Sequence, residues 1–204
     1  MTSSAPKVPR ILVRSAQAAI ATAAVADVFR AAAVRDHYLH PTDASMHRSG
    51  LVSMVFVYLM TLAIVLFLVG LARSRRNAQE LSPGASLPSR GWTIGAWLIP
   101  VVNLVAPRGI LLAVGRAGSA SWDERRDTTL VNLWWAAWVT HALVIVVTNQ
   151  VAPGSMALLV VAEALMIAAA ALVGLVIERI TALQNSALGA TVPVAPPAQV
   201  RAAE

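Results

Sequence analysis

Cysteine is missing from all 204 residues, which excludes disulfides, thiolate metal sites and cysteine nucleophiles. Histidine is scarce, and His37, His40, His47 and His141 are scattered without the spacing of a zinc site, so no metal is expected. Charge is scarce too, at 13% of residues, where soluble domains carry roughly 25%. With 57% hydrophobic residues and a mean hydropathy of +0.67, too little polar surface remains to coat a globule. Phosphate loops, nucleophile elbows and zincin helices are all absent, and nothing in the chain calls for a cofactor. Lysine is nearly absent, with Lys7 standing beside fifteen arginines. The net charge is +6 and the isoelectric point about 11.2. The basic residues flank apolar segments instead of forming a groove with interleaved aromatics, which indicates the ends of membrane helices and not a nucleic-acid partner.

What the chain does have is long apolar runs. Residues 50–72 carry no charge, and at about 1.5 Å per residue they cross a hydrocarbon core of roughly 30 Å. Residues 128–148 form a second such run, and residues 156–178 a third, interrupted only by Glu163. Residues 11–34 are rich in Ala and Val but carry Arg14, Gln17, Asp27 and Arg30. A signal peptide ending near Ala24-Val25-Ala26 and an interfacial amphipathic helix compete with a retained span here. Arg14 and Gln17 break the apolar core that a signal peptide needs, which favours the retained helix. Residues 91–115 are apolar but broken, with Pro100 and Pro107 bracketing Asn103. Each proline removes a backbone donor, and irregular backbone at membrane depth persists only where protein or water covers it. That stretch is therefore either a kinked span or a re-entrant hairpin. The expected organisation is a flexible N-terminus over 1–10, one transmembrane helical domain over 11–180 and a disordered Ala- and Pro-rich tail over 181–204.

The basic residues choose between the two forms of the broken stretch. If residues 91–115 return to the side they left, Lys7, Arg10, Arg14, Arg73, Arg75, Arg76, Arg90, Arg116, Arg125, Arg126, Arg179 and Arg201 share one side, 12 against Arg35 and Arg48 on the other. If the stretch crosses, the split becomes 7 against 7. The positive-inside bias favours the first. The expected fold is all-α and integral to the membrane, with four transmembrane helices and a Pro-Asn-Pro re-entrant or kinked segment. A multi-pass protein of the inner (plasma) membrane follows, with both termini cytoplasmic.

One stretch has a family resemblance. It comprises Arg75-Arg76-Asn77-Ala78, Gly91-Trp92, the run from Gly95 and Trp97 through Ile99-Pro100-Val101-Val102-Asn103-Leu104 to Pro107, and the cluster Trp134, Trp135 and Trp138. Over about residues 50–180 the chain resembles a family of actinobacterial membrane proteins described as domain of unknown function 4328. Arg108-Gly109 departs from the bulky residues usual there. The resemblance implies a small multi-span membrane fold and no particular activity.

Ionisable residues inside a span are costly and usually face a cavity or a partner. Asp27, Tyr58, His141 and Glu163 each lie six to eight residues from the non-cytoplasmic end of a span, so all four fall in one layer roughly 9–12 Å deep. This layer is either a polar pocket open to the outer leaflet or a network gluing helices, built from an Asp27–Arg30 pair and a His141–Glu163 pair. Trp134, Trp138 and His141 share one helix face at i, i+4 and i+7, while Trp135 points elsewhere. Trp134 and Trp135 otherwise suit interfacial anchors, and Asn103 suits the backbone groups that the prolines free. The segment Asp123–Asp127 reads as a solvated loop or helix start.

The expected function is a multi-span module binding a lipid-like or apolar ligand, or a membrane partner, with Tyr58, Trp134, Trp138 and Asn103 as binding residues. The alternative is an acid–base enzyme on an apolar substrate such as an isoprenoid, a terpene cyclase with Glu163, Asp27 and His141 as catalytic groups. Aromatic walls shelter a carbocation, and a buried acid supplies the proton. A small transporter subunit is third, since four spans leave little room for alternating access in one chain. The oligomeric state is open.

Overall fold

The computed structural model describes residues 10–190, and these are helical throughout apart from short connections. The helices are α1 (Arg10–Leu39), α2 (Asp43–Leu81), α3 (Arg90–Gly95), α4 (Pro100–Asn103), α5 (Ala106–Ala117), α6 (Arg126–Val151) and α7 (Met156–Ala190). Four of them, α1, α2, α6 and α7, are long and apolar enough to cross a membrane. The shortest, α6, has 26 residues and is about 39 Å long at 1.5 Å per residue. The outward faces are apolar, with Leu51, Val55, Leu62, Val69, Leu143 and Val147 all exposed. Such a surface suits lipid, because water-facing proteins rarely expose large contiguous apolar patches.

The helices overrun the apolar runs. Thr42 caps α2 at its start, accepting from Ser45 N–H at 3.1 Å, while the Ser45 hydroxyl accepts from Thr42 N–H at 3.0 Å. This reciprocal capping box begins the helix seven residues before the uncharged run. At the other end of the chain, α7 continues to Ala190. Residues 181–190 are therefore helix, where a disordered tail is expected. Leu183, Gln184 and Leu188 bury themselves against the bundle there, and the first proline comes only at Pro193. Residues 1–9 and 191–204 of the expected flexible ends lie outside the described residues.

Short connections make two antiparallel hairpins, α1–α2 and α6–α7, and α1 packs against α7 to join them. Both hairpin turns sit at one end of the bundle, where the Arg35 guanidinium donates to Gly154 O at 3.2 Å. At the opposite end Gln184 Nε2 donates to Ser74 O at 2.9 Å. Gly118 lies there too, so close that a Cβ on it would stand 2.6 Å from the same amide nitrogen.

Residues 90–117 form three short helices, α3, α4 and α5, none of them long enough to span a bilayer. Pro100 opens α4, and α5 carries Pro107 in its first turn, positions where the missing N–H of proline is tolerated. Two carbonyls, one between α4 and α5 and one just before α3, are met by neighbours. The Trp135 indole N–H donates to Leu104 O at 2.9 Å, and Arg75 Nε donates to Pro88 O at 2.7 Å. The Asn103 Oδ1, an acceptor, is buried with no partner among the described residues.

Candidate functional site

The long helices bring alanines together in the middle of the bundle: Ala23 and Ala24 on α1, Ala63 on α2, and Ala169 and Ala170 on α7. Small side chains leave space, and larger ones from elsewhere wall it. The result is a partly open chamber of about 180 Å³, lined by Phe67, Trp97, Asn103, Trp134, Trp138 and Met166 as well as by the alanines. Trp97, in the turn between α3 and α4, meets Phe67 edge-on with ring centroids 4.7 Å apart. Its ring also lies 5.9 Å from that of Trp134. Such pairs add about 0.5–1.5 kcal/mol beyond the apolar area they bury, so the broken stretch is pinned to α2 and α6 at its most irregular point.

The walls are almost wholly apolar, and polar atoms of three lining residues are enclosed in the protein without a partner. Trp97 Nε1, Trp138 Nε1 and Asn103 Oδ1 are buried and unbonded among the described residues. The two indoles only donate and the amide oxygen only accepts.

One helical turn toward the hairpin end stand three of the residues singled out from the sequence. Ala23 and Ala24 precede Asp27, Trp138 precedes His141, and Met166 follows Glu163, each by three or four positions. Asp27 is 1% exposed and accepts from Arg30 Nε at 2.6 Å. The Arg30 guanidinium lies 4.8 Å over the Phe56 ring, so the i,i+3 pair forms as expected. Glu163 is 5% exposed, and Asp27 and Arg30 are the charges that reach it. Both Glu163 oxygens are buried without a hydrogen-bond partner among the described residues.

The expected His141–Glu163 pair does not form. His141 Nδ1 lies 2.9 Å from Ala162 O. A carbonyl only accepts, so Nδ1 carries a proton and donates it to the backbone beside Glu163. The His141 ring stacks on that of Trp138, with centroids 6.4 Å apart.

The remaining expected site residues divide. Trp134, Trp138 and Asn103 line the chamber. Tyr58 does not: it is 68% exposed and turned away from the bundle, because depth along a helix says nothing of rotation around it. Trp134 is 3% exposed and belongs to the core, and Trp135 bonds the broken stretch, so neither is an interfacial anchor. Asp127, expected in a solvated segment, is 2% exposed; Arg179 holds it through Nε–Oδ1 and Nη2–Oδ2 contacts of 2.8 and 3.1 Å. Outside the long helices, Arg116 grips Glu124 at 2.8 Å through both oxygens. Those bonds hold the Glu124 carboxyl below the usual carboxylate range.

Sequence reasoning missed Trp97 as a wall residue, although it stands in the motif that carries the family resemblance. It also missed Asn77 and Gln184, 1% and 0% exposed at the end away from the hairpins. Polar residues near the ends of apolar runs look solvated in a sequence, and only the overrun of α2 and α7 buries these two.

Four lipid-compatible helices around a largely apolar chamber define the fold of a multi-pass membrane protein. Residues 35–182 match the family model described as Domain of unknown function (DUF4328), and the chain belongs to that family. No curated protein and no solved structure matches it.

Proposed function

We propose that this protein is a membrane module that holds an apolar, lipid-like ligand in the chamber between α1, α2, α6, α7 and the broken stretch. The observation that carries it is the wall: Trp97, Trp134 and Trp138 face a space that alanines from three helices leave open. Ligand sites are commonly apolar and aromatic with a few polar groups to fix orientation.

The broken stretch is re-entrant in this proposal. In support, its start and its end both lie at the same end of the bundle: Arg75 of α2 bonds Pro88 O, and Gly118 abuts Gln184 of α7, which bonds Ser74 O of α2. Trp97 meets Phe67, seven residues along α2 from Ser74, so the stretch dips about 10 Å before returning. The arginine split supports a cytoplasmic position for that end and for the termini, in a protein of the plasma membrane.

Photolabelling in liposomes with a diazirine-bearing prenol tests the binding role. Adducts at Trp97, Trp134 or Trp138 are expected, and Ala169→Trp should fill the chamber and abolish them. Outward-facing Tyr58 supplies the lipid-exposed control. Adducts confined to Tyr58 and its lipid-facing neighbours would refute the binding role.

A second reading is an acid–base enzyme on an isoprenoid. What favours it is Glu163, a buried carboxyl with no partner, one turn from a tryptophan-walled space. Turnover of a prenol to a cyclised product, lost in Glu163→Gln with the fold intact, is the result it requires.

A further inference from the structure

We propose that the chamber takes lipophilic organic cations, with Glu163 as their counter-ion and the Trp97, Trp134 and Trp138 rings as the wall that shelters the charge. This inference rests on the chamber being a ligand site.

The charges around Glu163 do not balance. Asp27, on α1, is matched by Arg30 at 2.6 Å. Between Arg48 and Arg73, α2 carries no charged residue. Past Asp127, α6 offers only His141, whose Nδ1 is committed to Ala162 O. Two buried carboxyls thus share one guanidinium, and Glu163 is the one left without a partner. A carboxylate stripped of water is strongly unfavourable unless it is paired. A gluing role requires Glu163 to bond a neighbouring helix, and neither of its oxygens does.

The surroundings select the kind of cation. Hard metal ions demand several oxygen ligands, and a single unpaired carboxylate supplies too few. A bulky organic cation holds its hydration weakly, partitions into the bilayer and is attracted to indole faces. Glu163 lies one turn from Met166 in the chamber wall, and His141, bonded to the residue before Glu163, stacks on Trp138. Glu163 does not itself line the chamber and its oxygens are enclosed, so a cation among the tryptophans would sit about one helical turn from it, with only apolar protein between the two charges.

Two ligands of nearly one shape separate charge from fit: methyltriphenylphosphonium, a cation, and triphenylphosphine oxide, which is neutral. Equilibrium dialysis of the purified full-length protein in detergent micelles gives both affinities. The cation is expected to bind at least about tenfold tighter, the size of a favourable desolvated cation–π contact. Glu163→Gln should bring the ratio close to one while binding of the oxide persists. Trp138→Leu keeps the carboxyl and should weaken the cation several-fold more than the oxide, which keeps the test decisive should Glu163→Gln fail to fold. Equal affinities in the unmodified protein would overturn the cation assignment and leave Glu163 neutralised by a proton alone, with the chamber still a ligand site. Failure of both ligands to bind in a manner that Ala169→Trp blocks would remove the chamber and the inference together.

Discussion

Asp127 and Arg14 show how far burial changes the meaning of an ion pair. Arg14 reaches Glu178 at 3.3 Å, but both side chains are largely open. Exposed pairs contribute little, so Arg14→Ala should change stability by less than about 0.5 kcal/mol. Asp127 is almost wholly enclosed, accepts twice from Arg179 and takes the Asp123 N–H at 3.0 Å. Removing it strands those donors, and because Arg179 is partly exposed the penalty falls below that of a fully buried pair. Asp127→Ala should therefore destabilise by about 2 kcal/mol, read as a melting shift in detergent at least three times that of Arg14→Ala. Equal shifts would show that the pair is not structural. Gly115 is a second such position, since a Cβ there would stand 2.2 Å from the Trp122 ring. Gly115→Val should lower stability by about 1–3 kcal/mol, and Trp122→Ala in the same chain should recover part of the loss.

At the scale of elements, the long helices are legible from hydropathy because lipid solvates one side of each and the bundle the other. Their ends are not legible in that way. The beginning of α2 is set by the Thr42–Ser45 capping box, and the end of α7 by Leu183, Gln184 and Leu188 packing on the bundle. The polar layer is half legible. Counting along each helix gives the depth of Asp27, His141 and Glu163, and the cost of a lipid-facing carboxylate gives the inward turn of two of them. The same count admitted Tyr58, whose amphipathic ring tolerates an outward position. The break at Pro100 and Pro107 is legible from proline chemistry alone, but its partner is not, because Trp135 stands 31 residues from the Leu104 carbonyl it meets. Trp135→Phe keeps the ring and removes the bond to Leu104 O. It should cost about 1 kcal/mol and speed amide exchange across residues 99–106, with α6 itself unchanged. Unaltered exchange there would mean that the bond does not hold the stretch.

On the scale of the whole molecule, everything depends on the broken stretch returning to the side it left. Trp97 and Asn103 line one side of the partly open chamber, and α1, α2, α6 and α7 supply the rest of its lining; in the proposed arrangement they enter from the cytoplasmic side. Sided labelling of single cysteines in intact cells tests this directly, since the chain has no cysteine of its own. Ala44, at the α1–α2 hairpin, and Ser86 and Ala120, on the two sides of the stretch, are exposed and suit the purpose; Ser45 is buried in the capping box and does not. A membrane-impermeant maleimide is expected to label the cysteine at 44 from outside, and those at 86 and 120 only after the membrane is permeabilised. Labelling of the cysteine at 120 from outside, with 86 still protected, would mean that residues 91–115 cross the bilayer, and would contradict the re-entrant chamber.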